Sequence, residues 1–241
     1  MNTGVNQFLA AHSSFTTAEF MEMLRGENPD IGRSTVYYLL KKLSDGKQIT
    51  KIGRGHYTVT EKKNYAYELS QTAKDISALV QSEFPLVEYQ IWELYQLNEF
   101  VNHQLSRNTI FVEVESMQDE SVFNRLFELY PHVLLNPDID EYYRYAGEET
   151  VVVQKLISES PPPYGGFRQA ALEKLLVDLF SKSLTGSLIS KSEYRAIYED
   201  CFRKYRINQT KLLRYARRRK VEQSILDYIR DRTEITLEAA T

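Results

Sequence analysis

Apolar side chains recur at helical spacing through the first forty-five residues. Val5, Phe8 and Leu9 fall at i, i+3 and i+4, which predicts a short amphipathic helix ending near His12, Ser13 and Ser14. Phe15-Thr16-Thr17 leads into a second helix, with Thr16 or Thr17 at its N-cap and Phe20, Met21 and Leu24 facing inward. Residues 26–30 form a turn cluster. A third helix is expected over 33–45, where Val36, Leu39, Leu40 and Leu43 make one stripe and Gly46 closes the end. Two short β-rich runs follow, at 48–52 and 56–60, and Gly53-Arg54-Gly55 supplies the turn between them.

Beyond this block the pattern changes. Residues 61–72 have weak periodicity and read as a connector or a short helix. Residues 87–95 lean to strand, 97–105 to helix, and 109–115 to a strand with partial alternation. Asp119 is placed to cap a helix carrying Val122, Phe123, Leu126 and Tyr130. Residues 132–135 and 149–157 read as further strands, so strand and helix alternate around a small sheet. The Pro-Pro-Pro-Tyr-Gly-Gly run inside 158–166 is the clearest punctuation. After it the pattern is helical: Leu172, Leu175, Leu176, Leu179 and Phe180, then a capping-box pattern Ser190-Lys-Ser-Glu193. Tyr194, Ile197, Tyr198, Cys201, Phe202 and Tyr205 follow on one stripe, and Leu212, Leu213, Ala216, Ile225 and Ile229 supply the last one or two helices. The expected fold is α+β: an N-terminal winged helix-turn-helix over 1–62, an α/β core with a small sheet over 63–160, and a helical C-terminal part over 161–241. The last two spans are expected to form one domain.

Composition narrows the class without naming a function. A length of 241 residues suits one large or two modest domains, and 42% apolar with 26% charged residues is globular rather than disordered. No apolar run approaches the ~18 residues of a membrane span. The first seven residues show neither the basic region nor the apolar run of a signal peptide. One cysteine, Cys201, makes neither an internal disulfide nor a multi-thiolate zinc site. Together these give the expectation of a cytoplasmic protein without membrane contact. Tyrosine is abundant, at 17 residues against one tryptophan, so polar-edged aromatic surface is available to a core or to a partner.

The net charge of −3 conceals three blocks. Residues 1–63 carry nine basic and six acidic side chains, residues 113–149 two basic and ten acidic, and residues 203–220 nine basic and none acidic. With Val36, Leu39, Leu40 and Leu43 inward, the third helix presents Ser34, Tyr38 and Lys41, with Thr35 and Lys42 at the edge and Arg33 at the start. Hydroxyls, a phenol and ammonium groups on one face suit phosphates and base edges. The hairpin adds Arg54 between two glycines, flanked by Lys51 and His56, a compact basic tip for a phosphate or minor-groove contact. The expected partner is double-stranded DNA; a protein-binding winged helix is the alternative.

No catalytic, metal or cofactor site is expected. The four histidines (His12, His56, His103, His132) lack metal-ligand spacing, and there is neither a phosphate loop nor a nucleophile elbow. Glu113 and Glu115 alternate on their strand with Asp119 and Glu120 close behind, the carboxylate density of a metal-dependent nuclease. The strand lacks the lysine such a site uses, so an acidic or internally paired face is the other reading. A PD-(D/E)xK-like nuclease domain and a ligand-responsive regulator therefore stand as alternatives. His103 reads as a capped or core-edge histidine and Cys201 as a buried thiol. The basic stretch around Arg214, Arg217, Arg218 and Arg219 reads as a partner dock, a second nucleic-acid surface, or an internal complement to the acidic block.

Two ends of the chain resemble a known family. Ser34-Thr-Val-Tyr-Tyr-Leu-Leu-Lys-Lys-Leu43, with Ile49-Thr-Lys-Ile-Gly-Arg-Gly-His-Tyr57, is similar to the N-terminal winged helix of the AbiEi-type antitoxins. Ala171-Leu-Glu-Lys-Leu-Leu-Val-Asp178 and Asn208-Gln-Thr-Lys-Leu-Leu-Arg-Tyr-Ala216 resemble two helices of that family's C-terminal domain. Residues 75–160 contribute little to the likeness. The resemblance implies an antitoxin of a type IV toxin–antitoxin system, in a phage-defence setting. Its winged helix would bind repeats upstream of its own operon and repress it, and its C-terminal domain would counteract a cognate nucleotidyltransferase-like toxin. Carried over, DNA contact falls on Arg33, Ser34, Thr35, Tyr38, Lys41, Lys42 and Arg54, with no catalytic residue.

Overall fold

The apolar positions spaced along the first sixty residues meet in one core. Val5, Phe15, Phe20, Leu24, Val36, Leu40, Leu43, Ile49 and Tyr57 are buried together, and this burial is the main stabilising term for so short a segment. They are brought there by α1 (Thr3–Ala11), β1 (Ser14–Thr16), α2 (Thr17–Glu27), α3 (Arg33–Asp45), β2 (Ile49–Gly53) and β3 (His56–Val59). The computed structural model describes residues 3–46, 48–60 and 62–237. Met1, Asn2, Lys47, Glu61 and residues 238–241, which the expected domain spans include, lie outside the described residues.

The three strands form an antiparallel sheet in the order β1-β3-β2. Strand β1 was absent from the sequence reading, because three residues are too few to show alternation. Its Phe15 pairs with Tyr57 of β3, and the two rings stack at 5.7 Å. Thr16 then caps α2: its hydroxyl accepts from the Glu19 amide while the Glu19 carboxylate accepts from the Thr16 amide.

The second set of elements comprises α4 (Gln71–Glu83), β4 (Tyr89–Glu93), β5 (Asn108–Val114), α5 (Asp119–Phe127), β6 (Val133–Leu135), α6 (Ile139–Tyr145), β7 (Glu149–Lys155), α7 (Leu172–Asp178), α8 (Leu184–Leu188), α9 (Tyr194–Lys204), α10 (Gln209–Arg218) and α11 (Glu222–Arg232). The sheet order is β4-β5-β7-β6, with β4 antiparallel to β5 and the other two pairings parallel. One face is apolar: Ile91, Ile110, Val112, Val133, Val151 and Val153 pack against Ala73, Ile76 and Val80 of α4 and Val122 and Leu126 of α5. The alternate residues Gln90, Trp92, Glu113 and Gln154 form a polar group on the opposite face, which α7 meets.

The protein is thus a mixed α+β fold with two small sheets and several helices. The chain divides into two compact units, one running to Asn64 with Phe202–Arg206 and the residues from Thr236 on, the other Tyr65–Cys201 with Ile207–Ile235. Among the described residues no helix is long and apolar enough to cross a membrane.

Several local expectations are corrected. Residues 97–105 are not a helix: a 3-10 turn ends at Glu99, and the Asn98 side chain accepts from the Leu105 amide to turn the chain. Asp119 opens α5 without capping it, and its carboxylate accepts instead from Asn136 Nδ2. The box expected at Ser190 is not formed. Ser190 caps a short 3-10 turn through the Ser192 amide, and Glu193 turns away to the Asn102 amide and His103 Nδ1. His103 therefore sits in a loop rather than on a helix. Cys201 is buried.

Candidate functional site

Helix α3 is amphipathic because Val36, Leu40 and Leu43 return to one side every three or four residues and are buried. Leu39 is half-buried against the same core, and the opposite side of the helix faces solvent. Arg33, Ser34, Thr35, Tyr38, Lys41 and Lys42 are all exposed, and Tyr38 is 64% accessible. Tyr37 joins them at 56%, a residue the sequence reading passed over. It lies about 100° round the helix from Val36, at the margin of the apolar stripe, where the pattern leaves either fate open. Two adjacent phenols thus stand beside the two lysines.

The hairpin next to α3 in sequence is set by Gly55. Its φ of +75° lies in the left-handed region, and its carbonyl accepts from the Thr17 amide at 2.8 Å. A Cβ there would meet Thr17 Oγ1 at 3.4 Å in a conformation that disfavours side chains. The tip is thereby tied to the start of α2, while Lys51, Arg54 and His56 remain exposed. His56 donates from Nδ1 to the Arg54 carbonyl at 3.1 Å, closing the turn. All nine residues expected to face DNA are exposed, and all belong to the first unit.

The C-terminal arginines behave differently. Arg214 pairs with Glu159 at 3.0 Å, Arg217 makes two bonds to Glu222, and Arg218 donates to Ser158. Arg219 is half-buried, 3.3 Å from Asp178 and bonded to Ser181. Each guanidinium is held within the second unit, and only Arg214, Arg217 and Arg218 are exposed.

Arg219 belongs to a buried ionic network that the sequence reading missed. Lys174 is fully buried and donates to Glu113 Oε1 at 2.6 Å and to Asp178. Trp92 Nε1 and Gln154 Nε2 also donate to that Glu113 oxygen, each at 3.0 Å, and Gln90 Nε2 donates to the other. Tyr215 donates to Asp178 at 3.1 Å. Burial raises the Glu113 carboxyl, but the Lys174 charge and the hydrogen bonds from Lys174, Trp92 and Gln90 more than offset it and hold the group below its ordinary value of 4.5. Burial likewise lowers the Lys174 ammonium, and the two carboxylates more than restore it, to above 10.5. Burial pushes the Tyr215 phenol up, with the Asp178 charge adding to it.

The lysine missing from the strand of Glu113 therefore arrives from α7. It neutralises the carboxylate inside the protein, where Glu113 is 2% exposed. Glu115 lies past the end of β5 and accepts from the Glu88 amide. Among the described residues, no group of three or more His, Cys, Asp or Glu side chains could hold a metal ion. Lys174 and Asp178 come from one of the two C-terminal stretches quoted above and Tyr215 from the other. Glu173 adds a bond to the Asn208 amide at the start of α10.

A family model described as a family of unknown function (DUF6577) matches residues 35–235. The chain belongs to this family. The DUF6577 match begins on the exposed face of α3 and takes in the hairpin, the four-stranded sheet and the ionic network. No curated protein matches the chain.

Proposed function

We propose that this DUF6577 protein is a DNA-binding autoregulator of the antitoxin type. It represses its own operon through the first unit and counteracts a nucleotidyltransferase-like toxin, acting by binding rather than by catalysis, in the cytoplasm. The observation that carries the reading is the solvent face of α3 beside the basic hairpin tip. Three helices followed by a hairpin is the winged helix-turn-helix order, in which the third helix enters the major groove and the hairpin is the wing. In that arrangement Ser34, Thr35, Tyr38, Lys41 and Lys42 face base edges and phosphates, and Arg33 lies at the helix start. Lys51, Arg54 and His56 reach the flanking backbone. The antitoxin part rests on the likeness of the two C-terminal stretches to AbiEi-type proteins.

Two linked measurements test it. A reporter driven by the DNA directly upstream of the coding sequence is expected to be repressed by the wild type and released by Lys41→Gln/Lys42→Gln/Arg54→Gln. Co-expression with a neighbouring nucleotidyltransferase-like gene is expected to restore growth that this gene alone arrests. Failure of the growth rescue contradicts the antitoxin reading, and unchanged repression by the triple variant contradicts the DNA interface.

A further inference from the structure

Isoleucine is among the residue types most often buried, and the two isoleucines of β2 have opposite fates. Ile49 is 1% exposed in the core, whereas Ile52 is 63% exposed. The ladder explains the difference. Lys51 pairs with Tyr57 and Gly53 with His56, so Ile52 is an extra residue without a cross-strand partner. Such a bulge re-aims a side chain and sharpens the local twist. Here it leaves a β-branched apolar group in solvent, between Lys51 and Arg54, on the free edge of the sheet. Neither cation takes part in an ion pair among the described residues.

We infer that Ile52 is a wedge for the minor groove of double-stranded DNA. This rests on the DNA-binding reading above and adds the base-step preference of the hairpin. Lys51 and Arg54 would neutralise the phosphates on either side of the groove, and the apolar side chain would enter between two base pairs, partly unstack them and bend the duplex. The flexible pyrimidine–purine steps TA and CA/TG unstack most readily, so the hairpin reads such a step by its deformability. Phosphate contacts supply affinity and the wedge supplies shape selectivity.

The test uses the full chain and end-labelled duplexes cut from the DNA directly upstream of its coding sequence, with affinity and bending read by fluorescence energy transfer. Ile52→Ala is expected to weaken binding about tenfold, as loss of one buried apolar side chain does, and to reduce the bend. Ile52→Leu is expected to retain both. The salt dependence of Ile52→Ala matches the wild type, whereas Arg54→Gln lowers the slope. A mismatch that already unstacks the contacted step tightens wild-type binding more than that of Ile52→Ala. Equal affinity and equal bend for the wild type and Ile52→Ala overturn the wedge while leaving DNA binding intact. Absence of any DNA binding by the wild type overturns the reading beneath it as well.

Discussion

Removing the Lys174 ammonium leaves Glu113 and Asp178 as uncompensated charges in the protein interior. Breaking a buried ion pair from one side costs about 3–5 kcal/mol, so Lys174→Met is expected to lower the thermal midpoint by on the order of 10 °C. Adding Glu113→Gln to that variant recovers part of the loss, because the remaining burden is desolvation rather than a missing packing contact. An unchanged midpoint in the single variant contradicts the network. The same groups set a pH dependence. The Glu113 carboxyl is held below 4.5 in the fold, so its contribution is present above that value and lost as pH falls through the folded pKa. The Lys174 ammonium is held above 10.5, so its contribution is present below that value and lost as pH rises through the folded pKa. Melting curves are expected to show a flat contribution between roughly pH 5 and 10 and losses outside that window. Little of this was legible at the residue scale. Glu113 stood out by its strand position, but Lys174 lies 61 residues away, opposite the leucine stripe of its helix, and pairing over that separation leaves no periodic trace.

At the scale of single elements, the clearest reading was the one with local chemistry behind it. Thr16 and Glu19 satisfy each other's amides within four residues, so the cap of α2 was visible in sequence. Thr16→Ala is expected to lower stability by about 1 kcal/mol, measured by denaturant unfolding; no loss means the cap contributes nothing. The helix α3 was equally legible, since Val36, Leu40 and Leu43 need only the 3.6-residue period. Elements whose side chains answer to distant partners were not. Glu193 stands where a capping residue belongs, yet it bonds to Asn102 and His103 on another loop, ninety residues off. Helix α4 carries Ala73, Ile76, Ser77 and Val80 at helical spacing, but Ser77 hides the stripe. It is buried because its hydroxyl meets the Tyr89 phenol and the Phe167 carbonyl. Helix α6 buries Tyr142 amid exposed residues, too little for a pattern to report.

For the molecule as a whole, the three charge blocks resolve into different roles. From the basic C-terminal block, Arg214, Arg217 and Arg219 are paired within the second unit, with Glu159, Glu222 and Asp178. The acidic block sends Glu113 and Asp119 inside and leaves Asp138, Asp140, Glu141 and Glu148 exposed. The first block keeps Arg33, Lys41, Lys51 and Arg54 at the surface. A mildly basic first unit thus presents accessible cations although the chain total is negative, and for DNA the local field matters more than the total. The central claim is that α3 and the hairpin bind duplex DNA through those cations. Fluorescence anisotropy of a labelled duplex from directly upstream of the coding sequence, titrated across a salt series, tests it most directly. The account predicts tight binding by the wild type and, for Lys41→Gln/Lys42→Gln/Arg54→Gln, weaker binding with a log–log salt slope shallower by about three. Equal affinity and equal slope for the two proteins would contradict it.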